Sequence, residues 1–294
     1  MAATLESTAS RRLGRSCRAQ DRIRFGTPLD GVERAAVSLH ATAFEPHRHD
    51  TYAVGITTRG VQTFRYRGST RVCLPGQIHL LHPDEIHDGA PANADVGFSY
   101  RIAYVSPEVV RHAARTACLP FVADPVHDRR GPARDLGLAL DRFLADVDEP
   151  FDTLATTELI LVVAESLAGL AGHTVPRPSA IDLPAVKRVH DYLDERCNGS
   201  TDAAVLEGVA GMDRFKLIRH FKAAYATTPH RYQMLRRLDA ARDAIARGKP
   251  LANVATEGGF ADQSHLARQF KLAFGMPPGR WRALTHPSVI ETAS

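Results

Sequence analysis

The chain has 294 residues, with 37 Lys and Arg against 33 Asp and Glu and 44% apolar residues. That length allows two domains, each with its own core, and the composition is ordinary for a soluble protein. Cys17, Cys73, Cys118 and Cys197 are scattered and form no CxxC pair, which argues against a disulfide framework or a zinc finger and fits a reducing cytoplasm, and no apolar run approaches the roughly 18 residues of a membrane span.

The first 25 residues hold Arg11, Arg12, Arg15, Arg18, Arg22 and Arg24. No apolar stretch follows the arginine pair, so an export signal is rejected and a flexible basic arm is expected over 1–25. Residues 26–105 read as strands. Val37/Leu39, Tyr52/Val54/Ile56, Phe64/Tyr66 and Tyr100/Ile102/Tyr104 alternate at period two, and turn signals such as Arg67-Gly68, Pro75-Gly76 and Asp88-Gly89 separate the runs. Many short strands with close turns predict an antiparallel barrel or sandwich.

Helical spacing begins at Ser106-Pro107-Glu108, an N-cap followed by proline. Further helices are predicted over 133–148 and 152–171. The last carries Leu154, Leu161, Val162, Glu165, Leu167 and Ala168 and is more apolar than a surface helix requires. Packing on the barrel and pairing with a second subunit both account for it, so 106–171 is read as a helical extension and a candidate dimer surface. Residues 172–183 hold two prolines and few large side chains, as a linker does. The next domain spans 184–286, beginning with an amphipathic helix over 184–197. A long helix over 229–247 ends at Gly248-Lys249-Pro250, and 287–294 is a tail.

Within that domain a pattern occurs twice, 49 residues apart: AAVLEGVAGMDRFKLIRHFKAAY (203–225) and ANVATEGGFADQSHLARQFKLAF (252–274). Asp213/Asp262, Leu217/Leu266, Arg219/Arg268, Phe221/Phe270 and Lys222/Lys271 are identical pairs. Each copy reads as helix, tight turn, helix, the size of a helix-turn-helix unit. Residues 184–286 hold 17 Lys and Arg against 10 Asp and Glu, so the positive excess lies here, as phosphate binding demands.

In the first copy Leu217 and Phe221 share a face and anchor the helix. Arg214, Phe215, Ile218, Arg219 and Lys222 are then expected on the opposite face, with Asp213 as N-cap. In the second copy Leu266, Phe270 and Phe274 are the buried stripe. Gln263, Ser264, Ala267, Arg268 and Lys271 face outward, and Asp262 caps. Arginine donates two bonds to guanine, glutamine pairs with adenine, and Phe215, Ile218 and Ala267 suit thymine methyls. Lys222 and Lys271, near the helix ends, suit phosphates. Salt bridges within each unit are the alternative for Arg219 and Arg268.

At this point the sequence resembles the AraC/XylS family of bacterial transcription regulators. GFADQSHLARQFKLAFGMPPGRWR (259–282) carries the likeness most specifically. It implies seven helices over 184–286, the 229–247 helix joining two helix-turn-helix units that enter successive major-groove segments. Asp213 stands where the first unit usually has a serine.

PHRHDTYAVGITTRG (46–60) and CLPGQIHLLHPDEIHDG (73–89) resemble the cupin-like arabinose-type sensing domain of that family. The likeness implies a barrel that binds a small effector, with His47, His49 and Tyr52 on one strand and His87 on a facing one. The same histidines raise a rival, a cupin metalloenzyme with a basic appendage. His47, His49 and His87 match the order of such ligands, but Ala53 or Val54 stands where a glutamate is needed. His79 and His82 read as ordinary strand residues. The fold class expected is therefore α+β: a cupin-like barrel with a helical extension, then an all-α domain with two helix-turn-helix units. The function expected is an effector-responsive, cytoplasmic transcription activator that is not an enzyme. Its expected partners are double-stranded DNA, a small effector, RNA polymerase and a second copy of itself, with no cofactor and no membrane.

Overall fold

The computed structural model describes residues 21–40, 44–116, 118–173, 178, 180–196 and 201–285. The backbone divides into two units, residues 1–176 and 177–294.

Among the described residues ten strands build the first unit: β1 (Arg22–Phe25), β2 (Val32–Leu39), β3 (Phe44–His47), β4 (Tyr52–Gly60), β5 (Gln62–Tyr66), β6 (Ser69–Cys73), β7 (Ile78–Leu81), β8 (His87–Pro91), β9 (Phe98–Val105) and β10 (Val126–His127). They form a six-stranded sheet, β1-β2-β9-β4-β7-β10, and a four-stranded one, β3-β8-β5-β6. All pairings are antiparallel. One core joins both sheets, with Val37, Leu39, Phe98, Tyr100 and Ile102 from the first and Phe44, Phe64, Tyr66 and Cys73 from the second. The basic arm expected to residue 25 ends sooner. Arg22–Phe25 pairs with Ala35–Ser38 as an edge strand, and Ile23 and Phe25 pack on the core. Residues 1–20 of that expected arm lie outside the described residues.

Cross-strand Cα partners share a face, so the register tells which residues enter the barrel. Ala35, Ile102, Gly55, His79 and Val126 form one inward row, and Glu33, Tyr104, Ala53 and Leu81 form the next. In the smaller sheet His47, His87 and Tyr66 share a row. Gly60 turns the chain between β4 and β5 at φ +66, and a Cβ there would meet the Gly97 carbonyl at 2.1 Å.

Three helices follow: α1 (Pro107–Ala114), α2 (Arg134–Phe143, entered through a 3-10 turn at Gly131–Ala133) and α3 (Thr153–Leu170). The Ser106 hydroxyl accepts from Glu108 N, and an Asp152 carboxylate oxygen accepts from Ala155 N. The helix expected over 133–148 stops at Phe143 because its next carbonyls have other donors. Arg34, buried on β2, donates to the carbonyls of Phe143, Val147 and Glu149 at 3.1, 3.4 and 2.8 Å. Arg101 takes Leu144 O at 3.1 Å. Helix α3 corrects one expectation. By length and composition it is apolar enough to cross a membrane. Its large apolar residues Leu154, Leu159, Ile160, Leu161, Val163 and Leu167 are buried, whereas Val162, Glu165 and Ala168 of the expected stripe are half-buried. The carboxylate of Glu158, also buried, pairs with Arg142 at 2.6 Å.

The second unit has seven helices among the described residues: α4 (Leu183–Glu195), α5 (Ala203–Ala210), α6 (Arg214–Tyr225), α7 (Pro229–Ala246), α8 (Leu251–Glu257), α9 (Gln263–Phe274) and α10 (Pro278–Thr285). Helix α6 packs on α4, α5 and α7, while α9 packs on α7, α8 and α10. Aspartate caps recur at helix starts. Asp213 accepts from Phe215 N and Lys216 N, and Asp262 accepts from His265 N. The expected linker residues 174–177 and 179, Cys197, and the expected tail lie outside the described residues.

Candidate functional site

Two sites emerge, one in each unit. In the second unit the paired helices α6 and α9 each follow a capped turn. Helix α6 buries Phe215, Leu217, Ile218, His220 and Phe221. Phe215 and Ile218, expected on the outward face, are 5% and 2% exposed and belong to the core. The two-residue stripe of Leu217 and Phe221 was too narrow a guide. A helix enclosed by α4, α5 and α7 buries an arc of at least 100°. The outward set thus reduces to Arg214, Arg219 and Lys222, of which Lys222 is exposed and the arginines are half-buried. Arg214 is fixed to its own turn, since its backbone N–H donates to Glu207 Oε1 at 2.8 Å and its Nε lies 3.5 Å from the same oxygen.

Helix α9 matches its expected face more closely. His265, Leu266 and Phe270 are buried, Gln263, Ser264 and Lys271 are exposed, and Ala267 and Arg268 are half-buried. Backbone bonds from His265 and Ser264 hold the Asp262 carboxyl below the usual range, with help from Arg268 and His265. Leu272, beside Lys271, is 72% exposed and went unnoticed in the sequence.

In the barrel, three of the four expected effector residues come together. The ring centroids of His47 and His87 are 4.5 Å apart, those of His49 and His87 4.8 Å, and those of His47 and His49 6.3 Å. Their Nδ1 atoms lie 2.8, 2.9 and 2.9 Å from the carbonyls of Glu45, Thr51 and Glu85. A carbonyl only accepts, so each Nδ1 carries the proton and each Nε2 keeps its lone pair. Burial lowers the His49 pKa, with His47 adding to it, and burial takes His87 down to about 3. The rings of His49 and His87 are therefore neutral at neutral pH and accept at Nε2.

Tyr52 does not join them. Its neighbour Ala53 pairs with Tyr104 on the inward row, so Tyr52 takes the opposite face and meets His82 at 5.3 Å. Burial drives its hydroxyl up to about 12. The aromatic partner of the cluster is Tyr104, edge-on to His49 at 5.3 Å. Sequence alternation had already set Tyr104 in phase with Tyr100 and Ile102, which was the signal for it. His82 is structural: its Nε2 accepts from Val122 N, and its backbone N–H donates to the Tyr66 hydroxyl. Ala53 holds an inward position where a ligand carboxylate was sought. Among the described residues no group of three or more His, Cys, Asp or Glu is arranged to hold a metal ion.

Comparisons with known proteins agree with this division. The model of the AraC-like ligand binding domain matches residues 31–163, and that of a helix-turn-helix domain matches 206–284. The uncharacterized HTH-type transcriptional regulator YbfI of Bacillus subtilis is 25% identical over 232 residues, covering 76% of this chain and 81% of its own. The transcriptional activator NphR of a Rhodococcus species is 27% identical, over 79% of this chain and 69% of its own. A solved structure of a probable AraC family regulator from Rhodopseudomonas palustris is 20% identical over 35% of this chain and 99% of its own, with a TM-score of 0.34. A ligand-binding domain followed by a helix-turn-helix domain defines an effector-responsive, DNA-binding transcription regulator. In both domains the chain is similar to AraC-type transcriptional regulators.

Proposed function

We propose that the protein activates transcription by laying α6 and α9 into neighbouring major-groove segments while a small molecule in the barrel sets its DNA occupancy. The observation that carries this reading is the repeated pair Arg219/Arg268 with Lys222/Lys271 on two equivalent capped helices. Arg219, Arg268, Gln263, Ser264 and Ala267 are assigned to base edges, Lys222 and Lys271 to phosphates, and Arg214 to holding its turn against the backbone. His47, His49 and His87 are assigned to the effector. A ligand changes occupancy only by favouring one arrangement over another.

Cytoplasmic placement and contact with RNA polymerase accompany the activator reading and rest on resemblance to the family. Homodimerisation rests there too, since Leu154, Leu161 and Leu167 of the apolar stripe are buried in the chain itself. The test is selection of random DNA by the purified full chain. Enriched fragments with two short blocks about one helical turn apart support the reading. A single block, or no enrichment, overturns it.

A further inference from the structure

On α9 (Gln263–Phe274) Leu272 is 72% exposed, and among the described residues no large apolar side chain is more so. The helix turns Leu266 and Phe270 to its own core. Positions i, i+3, i+4, i+7 and i+8 of a helix lie along one stripe. Counted from Ser264, the stripe on the far side is Ser264, Ala267, Arg268, Lys271 and Leu272. Its first four members are assigned to DNA, so Leu272 completes that face. Helical side chains lean toward the N-terminus, which carries the leucine back over the turn of Arg268. The first unit has no equal to it. The residue 49 positions earlier is Ala223, exposed but with a single methyl, and Phe215 and Ile218 of the same stripe are buried.

Resting on the assignment of α9 to the major groove, we propose that Leu272 packs on the 5-methyl group of a thymine and makes the second unit's DNA block thymine-specific at one position. An exposed leucine on a DNA-facing stripe calls for an apolar partner, because withdrawing apolar surface from water is stabilising in proportion to its area. The major groove offers one such group. The edges of all four bases carry hydrogen-bond donors or acceptors, and thymine alone adds a methyl. A phosphate offers a leucine nothing, which separates Leu272 from its neighbour Lys271. Another protein is the poorer occupant, since it would have to bury the charges of Arg268 and Lys271 to reach the leucine. Five residues, about 7.5 Å of helix axis, separate Leu272 from Ala267. That is roughly two base steps, so the two apolar contacts fall on different base pairs.

The test uses the site that the full chain enriches from random DNA. Each thymine of that site is replaced in turn by deoxyuridine, which lacks only the methyl. Wild-type affinity is expected to fall roughly fourfold at one thymine of the block that Arg268→Ala relaxes, the worth of one methyl withdrawn from water. Leu272→Ala is expected to lose a similar factor on the thymine site and to become indifferent to uracil at that position. Its salt slope is expected to stay the same, since no phosphate contact goes with the leucine. The position is exposed, so the variant is expected to fold. Leu272→Gln, which keeps the length without the apolar end, repeats the measurement with a second side chain. A block without a fixed thymine, or uracil tolerated by the wild type at every position, overturns the inference and leaves the DNA reading of α9 standing. So does a variant that keeps full discrimination against uracil. A variant that loses affinity while the wild type ignores the methyl places Leu272 on a deoxyribose and overturns it too. Unchanged DNA affinity with a smaller sedimenting mass places the leucine between two copies of the chain, against the proposal. Failure to enrich any site removes the assignments of α9 and of Leu272 together.

Discussion

Phe215 is sunk in the first helix-turn-helix unit, and its counterpart 49 residues on, Ser264, stands exposed in the second. Ile218 and Ala267 differ in the same sense, the one buried and the other half-buried. The anchoring also differs. In the first unit the Tyr232 hydroxyl donates to Asp194 at 2.5 Å and accepts from His190 Nε2 at 3.0 Å, and the His190 ring stacks on Tyr225 at 4.8 Å. In the second unit Trp281 replaces Tyr232 and packs on Phe270 and Phe274 at 6.0 and 5.9 Å. The duplicated pattern therefore fixes the skeleton, Leu217/Leu266 and Phe221/Phe270, while the periphery decides how much of each recognition helix is left for DNA. The second helix leaves its first turn exposed at Gln263 and Ser264, whereas the first buries Phe215 of that turn in its core.

Exchanging the two first turns is the strongest way to break this contrast. Phe215→Ser removes a buried ring and sinks a hydroxyl in its place, for an expected loss of about 3–5 kcal/mol. The reverse change, Ser264→Phe, falls on an exposed site and should stay within about 0.5 kcal/mol. Urea unfolding reads both. Trp281 is the chain's single tryptophan and sits in the second unit, so its fluorescence also tells whether that unit survives the collapse of the first. Equal midpoints for the two variants would mean that the units do not differ.

DNA binding sharpens the same contrast at smaller cost. Arg268→Ala should lose about 1–3 kcal/mol on the selected site and relax specificity at one position, with random DNA little affected. Equal loss on random sequence would make Arg268 a phosphate contact. Lys271→Ala should weaken all sequences alike and reduce the slope of log affinity against log salt by about 1. An unchanged slope contradicts its phosphate role. Smaller again is Tyr232→Phe, which removes the hydroxyl shared by α4 and α7 and should cost the first unit about 1 kcal/mol. Trp281→Phe offers the control, since no bonded hydroxyl is lost there.

Much of this arrangement was legible in the sequence, for reasons that also show where reading failed. Caps announce themselves by chemistry: Ser106, Asp213 and Asp262 each accept from the first turn of the helix they start. Strand phase was legible, but not which phase faces the lumen. Tyr52, Ala53 and Val54 are all fully buried because both faces of β4 are covered. Alternation then says nothing about inside and outside, and small residues (Ala53 and Gly55) turn out to face the barrel. The end of α2 depended on Arg34, more than a hundred residues earlier, whose guanidinium claims the carbonyls that would have continued the helix. Local pattern carries no trace of such a partner.

The finest difference between the copies lies just past the recognition helices. Both end in a left-handed residue, Gly275 at φ 77 in the second copy and Ala226 at φ 56 in the first. The backbone demands are alike, because Ala226 N–H donates to Lys222 O and Gly275 N–H to Lys271 O, both at 2.9 Å. Glycine meets that conformation without strain, whereas a Cβ crowds the following carbonyl and costs about 1 kcal/mol or more. Glycine also loses more freedom on folding, which offsets part of the gain. The net expectation for Ala226→Gly is a stabilisation of about 0.5 kcal/mol, seen as a higher urea midpoint with DNA specificity unchanged. Gly275→Ala should move the midpoint down by a similar or larger amount. If both substitutions shift stability in the same direction, the two helix ends are not equivalent and the 49-residue repeat stops short of its C-terminal turn.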